Sequence, residues 1–263
     1  MRRSVCKAFF ICCLLCAGAP AAVMAGGGGT ASGNELMQRA EQLLSNYKDS
    51  EALRLFEQVI EQSPDSYEAL CRASYLHSRI GDRFADETRK KEHFEKAREY
   101  ALKAYTLNPE DDEANYVMAL SLGCSAMTLG PRQRLEGINQ IKPFVDAALL
   151  SNEHHAGAWH ILGRWYFKMA NLNFAEKAAS KLLFGGVEGE ASNQKAAEAF
   201  ELAIENDPDN IRYYYDLAMV YSEMENIPAY TNTLEKATSL TVETKEELEL
   251  SRQCRILLQR QKM

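Results

Sequence analysis

Three short turn signals, Ser63-Pro64-Asp65, Asn108-Pro109-Glu110 and Asp207-Pro208-Asp209, constrain this chain more than any other feature. Proline has no backbone N–H and cannot continue a helix, so each signal stops one helix and frees the residues behind it to start another. Between the signals apolar residues recur at helical spacing almost without interruption, and no stretch sustains a period of two. A fourth signal stands at Asn152-Glu153, with glutamate where the others carry proline. A chain cut in this way must fold as successive helix pairs.

The pairs share one register. Ten residues after each signal comes a small residue, Ser74, Ala119, Gly163 and Ala218, and three further on stand His77, Leu122, Tyr166 and Tyr221. Eight and four residues before each signal lie Phe56 and Ile60, Ala101 and Tyr105, Val145 and Leu149, Phe200 and Ile204. The segment Trp159-x2-Leu162-Gly163-x2-Tyr166, with Ala196-x3-Phe200 leading to Pro208, carries the residues of a tetratricopeptide (TPR) repeat. The reading is all-α: a TPR-like right-handed helical solenoid of five helix pairs with insertions, ended by a C-terminal capping helix over residues 243–261. That cap is expected to bury Leu248, Cys254, Leu257 and Leu258 against the stack.

A standard TPR repeats about every 34 residues. Here the signals at 64, 109, 153 and 208 are 45, 44 and 55 residues apart, and Val242 closes a last step of 34. Three repeats therefore carry insertions of 11, 10 and 21 residues. The first, around Asp82 to Lys91, is polar and is expected to extend helix ends; the second holds Gly130-Pro131. The third begins Asn171-Leu172-Asn173-Phe174 and places Leu172, Phe174, Ala178, Leu182 and Leu183 near helical spacing. It predicts a short helix that buries this face on a neighbour, ended by a glycine loop from Gly185.

The N-terminus differs in kind. Arg2, Arg3 and Lys7 precede an apolar run from Ala8 to Leu15, and small residues lead to Val23-Met24-Ala25, the three regions of a secretory signal peptide. Residues 1–25 are expected to be removed, with a retained anchor or a lipidated Cys16 as alternatives, and residues 26–33 to form a Gly-rich tether to a repeat domain over 34–263. Loss of three of the 30 basic residues and none of the 37 acidic ones leaves 27 − 37 = −10, which disfavours nucleic acid and anionic membrane as partners. Cys71, Cys124 and Cys254 would remain, too few and too scattered for a disulfide framework or a zinc site. The expectation is an exported protein, periplasmic or attached to the cell envelope, with no transmembrane segment after cleavage.

The run from Leu162 to Gly186 (LGRWYFKMANLNFAEKAASKLLFGG), followed by residues 197–200 and by Tyr213 to Tyr221 (YYYDLAMVY), resembles the regulator of microtubule dynamics family. The resemblance covers roughly Ser66 to Lys236 and is most specific in the inserted segment. It implies an all-helical repeat domain without catalytic activity, associated in animals with microtubules and mitochondrial contact sites. The leader departs from that pattern and would place the protein where no microtubule exists.

A TPR stack presents its first helices along a concave face. With Trp159 at the fourth repeat position, the groove candidates are Tyr75 and Arg79 in the second repeat and Tyr116 in the third. His160, Arg164 and Lys168 follow in the fourth and Tyr215 in the fifth. Aromatic residues supply contact area and Arg or Lys bind carboxylates, so the expected ligand is an acidic or amphipathic protein segment. The alternative is that the inserted helix and a tight superhelix fill the groove, leaving these residues as core. A second function class is a carrier of an apolar ligand or lipid, with Tyr75, Leu120, Phe167 and Met219 around a pocket. His154, His155 and His160 do not share a helix face, which argues against a metal site. Gly185, Gly186 and Gly189 lack the lysine and hydroxyl residue of a phosphate loop. No catalytic motif and no cofactor is expected.

Overall fold

A computed structural model describes residues 32–186 and 191–261 of the chain; the leader and nearly all of the tether lie outside them. Among the described residues are thirteen α-helices. They are α1 Gly33–Ser45, α2 Asp49–Gln62, α3 Tyr67–Asp82, α4 Glu87–Leu107, α5 Asp112–Met127, α6 Pro131–Asn139 and α7 Ile141–Ser151, then α8 Ala156–Ala170, α9 Phe174–Phe184, α10 Asn193–Asn206, α11 Ile211–Glu223, α12 Ile227–Ser239 and α13 Lys245–Gln261. No described helix is long and apolar enough to cross a membrane.

The five pairs are α1/α2, α3/α4, α5/α7, α8/α10 and α11/α12, each second helix packing on the next first helix, with α13 on α11 and α12. This is a TPR solenoid. The turn signals act as expected: Ser66 N–H donates to the Ser63 carbonyl at 3.0 Å, Asp111 to Asn108 at 3.3 Å and His155 to Asn152 at 3.2 Å. The Asp111 and Asn210 carboxylate and amide oxygens then accept from the first N–H groups of α5 and α11, which the helix itself leaves unpaired. Ser32 and Glu35 form a reciprocal capping box that starts α1 at Gly33, inside the stretch expected to be tether.

The shared register is a packing rule. Gly163 in α8 sits against the ring of Phe200 in α10, where a Cβ would come within 2.8 Å of two ring carbons. Ser74 and Ala119 are fully buried, and the Ser74 hydroxyl donates to the Ala97 carbonyl at 2.8 Å. His77 is buried between α2 and α4, its Nδ1 3.0 Å from His93 Nδ1 and its Nε2 3.2 Å from Glu57.

The insertions resolve differently. The first lengthens α4 to 21 residues. The second forms a separate helix, α6, with Pro131 in its first turn. The third contains α9, capped at its start by an Asn173/Glu176 box and at its end by Gly185 in the left-handed region (φ 82°). The expected burial of its apolar face is corrected: Leu172, just ahead of α9, is buried, but Phe174, Ala178 and Leu182 are exposed. The helix is held from the other side, by Ser180, Ala179 and Phe184 and by contact with α6. The cap needs a smaller correction. Leu250, Ser251 and Cys254 of α13 are buried, whereas Leu248 is exposed.

Candidate functional site

The first helices α3, α5, α8 and α11 bring their inward residues together on the concave face. Tyr75 and Arg79 come from α3, Tyr116 from α5, His160 and Arg164 from α8. Tyr116 is seated by Gly157, whose missing side chain leaves room for the phenol; a Cβ there would lie 2.7 Å from the ring. The His155 ring covers it at 4.5 Å. Burial pushes the Tyr116 phenol well above the usual tyrosine range, and the nearby Tyr75 and Tyr213 hydroxyls add to the shift. Three tyrosines from three repeats thus share one wall.

Next to them His160 Nε2 lies 2.7 Å from Asp216 Oδ2, a contact that ties α8 to α11 across 56 residues of sequence. The His160 ring also lies 4.7 Å from Tyr213 and 5.6 Å from Phe200. Burial lowers the His160 pKa against the opposing pull of Asp216, so the imidazole is neutral near pH 7 and its Nε2–H donates. Burial alone would raise Asp216; the hydrogen bond from His160 and the positive charges of Arg164 and Arg212 outweigh it and keep the carboxyl below its ordinary range. Arg164 is exposed and Arg212 half-buried, and neither forms an ion pair with a described residue. Two guanidinium groups beside one already satisfied carboxylate can bind a second one supplied by a ligand.

Three of the groove candidates have other neighbours, the first being Arg79, whose Nε lies 3.1 Å from Asp49 Oδ2 at the start of α2. Lys168 Nζ lies 2.6 Å from Glu176 Oε1 and ties α8 to the inserted helix. Tyr215 is half-buried in the cluster formed by α11 and α13 with Leu250 and Cys254. The cap occupies the side of α11 that carries Tyr215 and Met219, which leaves Tyr213 and Asp216 to the concave side. Sequence reasoning passed over these two by one helical position. A signal existed: Asp216 is a carboxylate inside the apolar run of an inner helix, where it needs a partner.

The residues that would have lined an apolar pocket are dispersed. Tyr75 packs with the N-terminal cluster, Phe167 with Ala196 and Leu217, and Met219 with α13. A concavity of 490 Å³ lies instead where α7, α8 and α10 meet the ends of α6 and α9, open to solvent and lined by Lys142, Asp146 and Lys195 as well as Trp165, Tyr166 and Phe184. The three histidines serve three separate contacts: His154 with Asn206, His155 with Glu113 and the start of α8, His160 with Asp216.

With this geometry in place, the comparisons with known proteins agree on one fold. The family model described as regulator of microtubule dynamics protein 1-3 matches residues 36–262. Regulator of microtubule dynamics protein 1 of Caenorhabditis elegans is 24% identical over 200 residues, covering 76% of this chain and 86% of the worm protein. Among solved structures, a thermophilic TPR protein of Thermus thermophilus, TTC0263, is similar with a TM-score of 0.61 at 16% identity, over 86% of this chain and 99% of that one.

Proposed function

The chain belongs to the regulator of microtubule dynamics family, and from that premise we propose that it acts as a non-enzymatic TPR scaffold that holds an acidic protein segment on its concave face. One observation carries the reading: Arg164 and Arg212, without an ion-pair partner among the described residues, stand beside a wall of Tyr75, Tyr116 and Tyr213. Aromatic area with adjacent guanidinium groups is the composition of an anchor for a peptide that carries carboxylates. A neutral imidazole held by a carboxylate across 56 residues of sequence is suited to fixing α8 against α11.

The composition of the leader supports a site of action in the cell envelope: three basic residues, an apolar run and a small-residue end. N-terminal sequencing of the protein from its native cell tests this. A chain beginning at Gly26 is expected, and one beginning at Met1 or Arg2 contradicts it. The groove is tested by photo-crosslinking from position 164. Adducts are expected to a peptide rich in Asp or Glu, and their loss when Arg212 is also changed to Glu. Adducts that ignore Arg212, or none at all, overturn the reading. The name of the worm relative favours a second reading, microtubule association, which predicts co-sedimentation with polymerised tubulin.

A further inference from the structure

In a helical-repeat solenoid each repeat touches only its neighbours. This chain departs from that rule where α13 begins. Glu246, in the first turn of α13, lies 2.9 Å from Arg83 at the end of α3, with the helices from α4 to α12 between them in sequence. Glu243, just ahead of α13, lies beside Tyr47 in the connection between α1 and α2. Apolar packing holds α13 elsewhere: Leu250 and Cys254 are buried with Ile211 and Tyr214 of α11 and Tyr230 and Leu234 of α12. The junction with α3 is made of charges near water. The Arg83 and Glu246 side chains are 30% and 42% exposed, a setting in which an ion pair is weak and screened by salt.

The junction reaches the concave face through Arg79. Tyr75, Arg79 and Arg83 stand four residues apart on α3, one row running from the tyrosine wall to the cap. Arg79 and Arg83 share the Asp49 carboxylate, at 3.1 and 2.5 Å. Burial opposes the Arg79 charge, but a hydrogen bond to the Tyr75 phenol and the Asp49 and Glu246 carboxylates outweigh it and hold its pKa above the usual arginine range. The same end of α3 adjoins the arginines of the groove, since the Cys124 thiol of α5 lies near both Asp82 of α3 and Arg164 of α8.

The start of the cap presents to this row the chemistry expected of the ligand. Residues 243–249 hold four glutamates. Glu247 is engaged locally, accepting from the Glu243 and Thr244 N–H groups at 2.8 and 3.0 Å, and Glu249 pairs with Arg252 at 3.5 Å. Glu243 and Glu246 are the two that meet the first repeats. The geometry points to an autoinhibitory contact, in which Glu243 and Glu246 occupy from within the chain the α3 row onto which an acidic ligand would extend from Arg164 and Arg212.

This contact rests on the carboxylate-binding reading of the groove, and the experiment separates the two. The full chain is titrated with a fluorescent glutamate-rich peptide. Removing an internal competitor raises apparent affinity, so Glu243→Ala with Glu246→Ala is expected to bind about three-fold more tightly or better. Glu235→Ala with Glu249→Ala makes the same change in net charge away from the row and is expected to bind as the wild type does. Circular dichroism checks that both variants keep the fold. Peptide added to the wild type is expected to shift the NMR signals of Arg83 Nε–H and the Glu246 amide as the pair parts. Binding that needs Arg164 and Arg212 but is equal in both variants, or that leaves Arg83 and Glu246 unmoved, overturns the contact and leaves the groove reading standing. Binding by none of the forms overturns both.

Discussion

The Arg83 guanidinium lies 2.9 Å from the Glu246 carboxylate, joining the end of α3 to the start of α13 and so the second repeat to the cap. The same arginine reaches Asp49 at 2.5 Å, which Arg79 also contacts at 3.1 Å. Nearby, the Glu243 carboxylate beside Tyr47 raises that phenol's pKa, a second sign that the first repeat and the cap adjoin. These side-chain contacts link the first two repeats to the segment that begins the cap.

Two substitutions at this junction separate a surface pair from a buried one. Glu246→Ala removes a partly exposed ion pair and is expected to cost under about 1 kcal/mol, an effect that fades in high salt. Arg83→Ala also takes one of two cations from Asp49, whose side chain is 1% exposed, and is expected to cost about 1–3 kcal/mol. Denaturant unfolding of both variants checks the difference. Equal costs would contradict a buried role for Asp49.

The Gly163–Phe200 contact predicts that a helix-favouring change destabilises. Gly163→Ala gains about 1 kcal/mol of intrinsic helix propensity but drives a Cβ into a buried ring, for a net loss of about 1–2 kcal/mol. Gly123→Ala in α5 is the control, because its nearest neighbour, Ile141 Cδ1, would be 3.4 Å away. It is expected to be neutral or stabilising. Phe200→Leu should relieve part of the Gly163→Ala cost, a non-additive pair in a double-mutant cycle.

Acid should weaken the fold below about pH 6.5, the ordinary histidine value. Burial lowers the His160 and His93 pKa values, so between that pH and their folded values the unfolded chain binds more protons than the folded one. Stability is then fully present above the unfolded value and is lost as pH falls. Asp216, also lowered, acts in the same direction at more acidic pH. Unfolding free energies measured from pH 7.5 to 5 should fall, and the His160→Gln, His93→Gln double variant should flatten the slope. An unchanged slope would show that the titration lies elsewhere.

The inserted helix is expected to open more readily than the pairs it decorates, because few of its side chains are buried. Amides of α9 should exchange faster than those of α8 and α10, and Lys168→Ala, which frees Glu176, should accelerate them further. Protection equal to that of α8 would mean that α9 is held by more than α6, one ion pair and the packing of Ala179, Ser180 and Phe184.

The repeat was legible because its signals are local. A proline turn, a glycine beneath an aromatic ring and a fixed offset between them are set by backbone sterics and by one helix packing on its neighbour, all within a few dozen residues. Packing of Tyr116 and His160 against the next repeat was reachable by the same register. Asp216 and Tyr213 were not, because which side of α11 faces inward depends on where α13 docks, and that is decided by the curvature of the whole stack. Phe174 and Leu182 misled for a related reason: apolar spacing shows that a helix has an apolar face, not that this chain supplies what covers it.

Carboxylate binding on the concave face through Arg164 and Arg212 is tested most directly by the affinity of the full chain for acidic peptides selected from a library, compared with an Arg164→Glu, Arg212→Glu variant of equal thermal stability. A loss of at least ten-fold is expected, with NMR shifts of the wild-type protein centred on His160 and the two arginines. Unchanged affinity, with shifts confined to other surfaces, would contradict it.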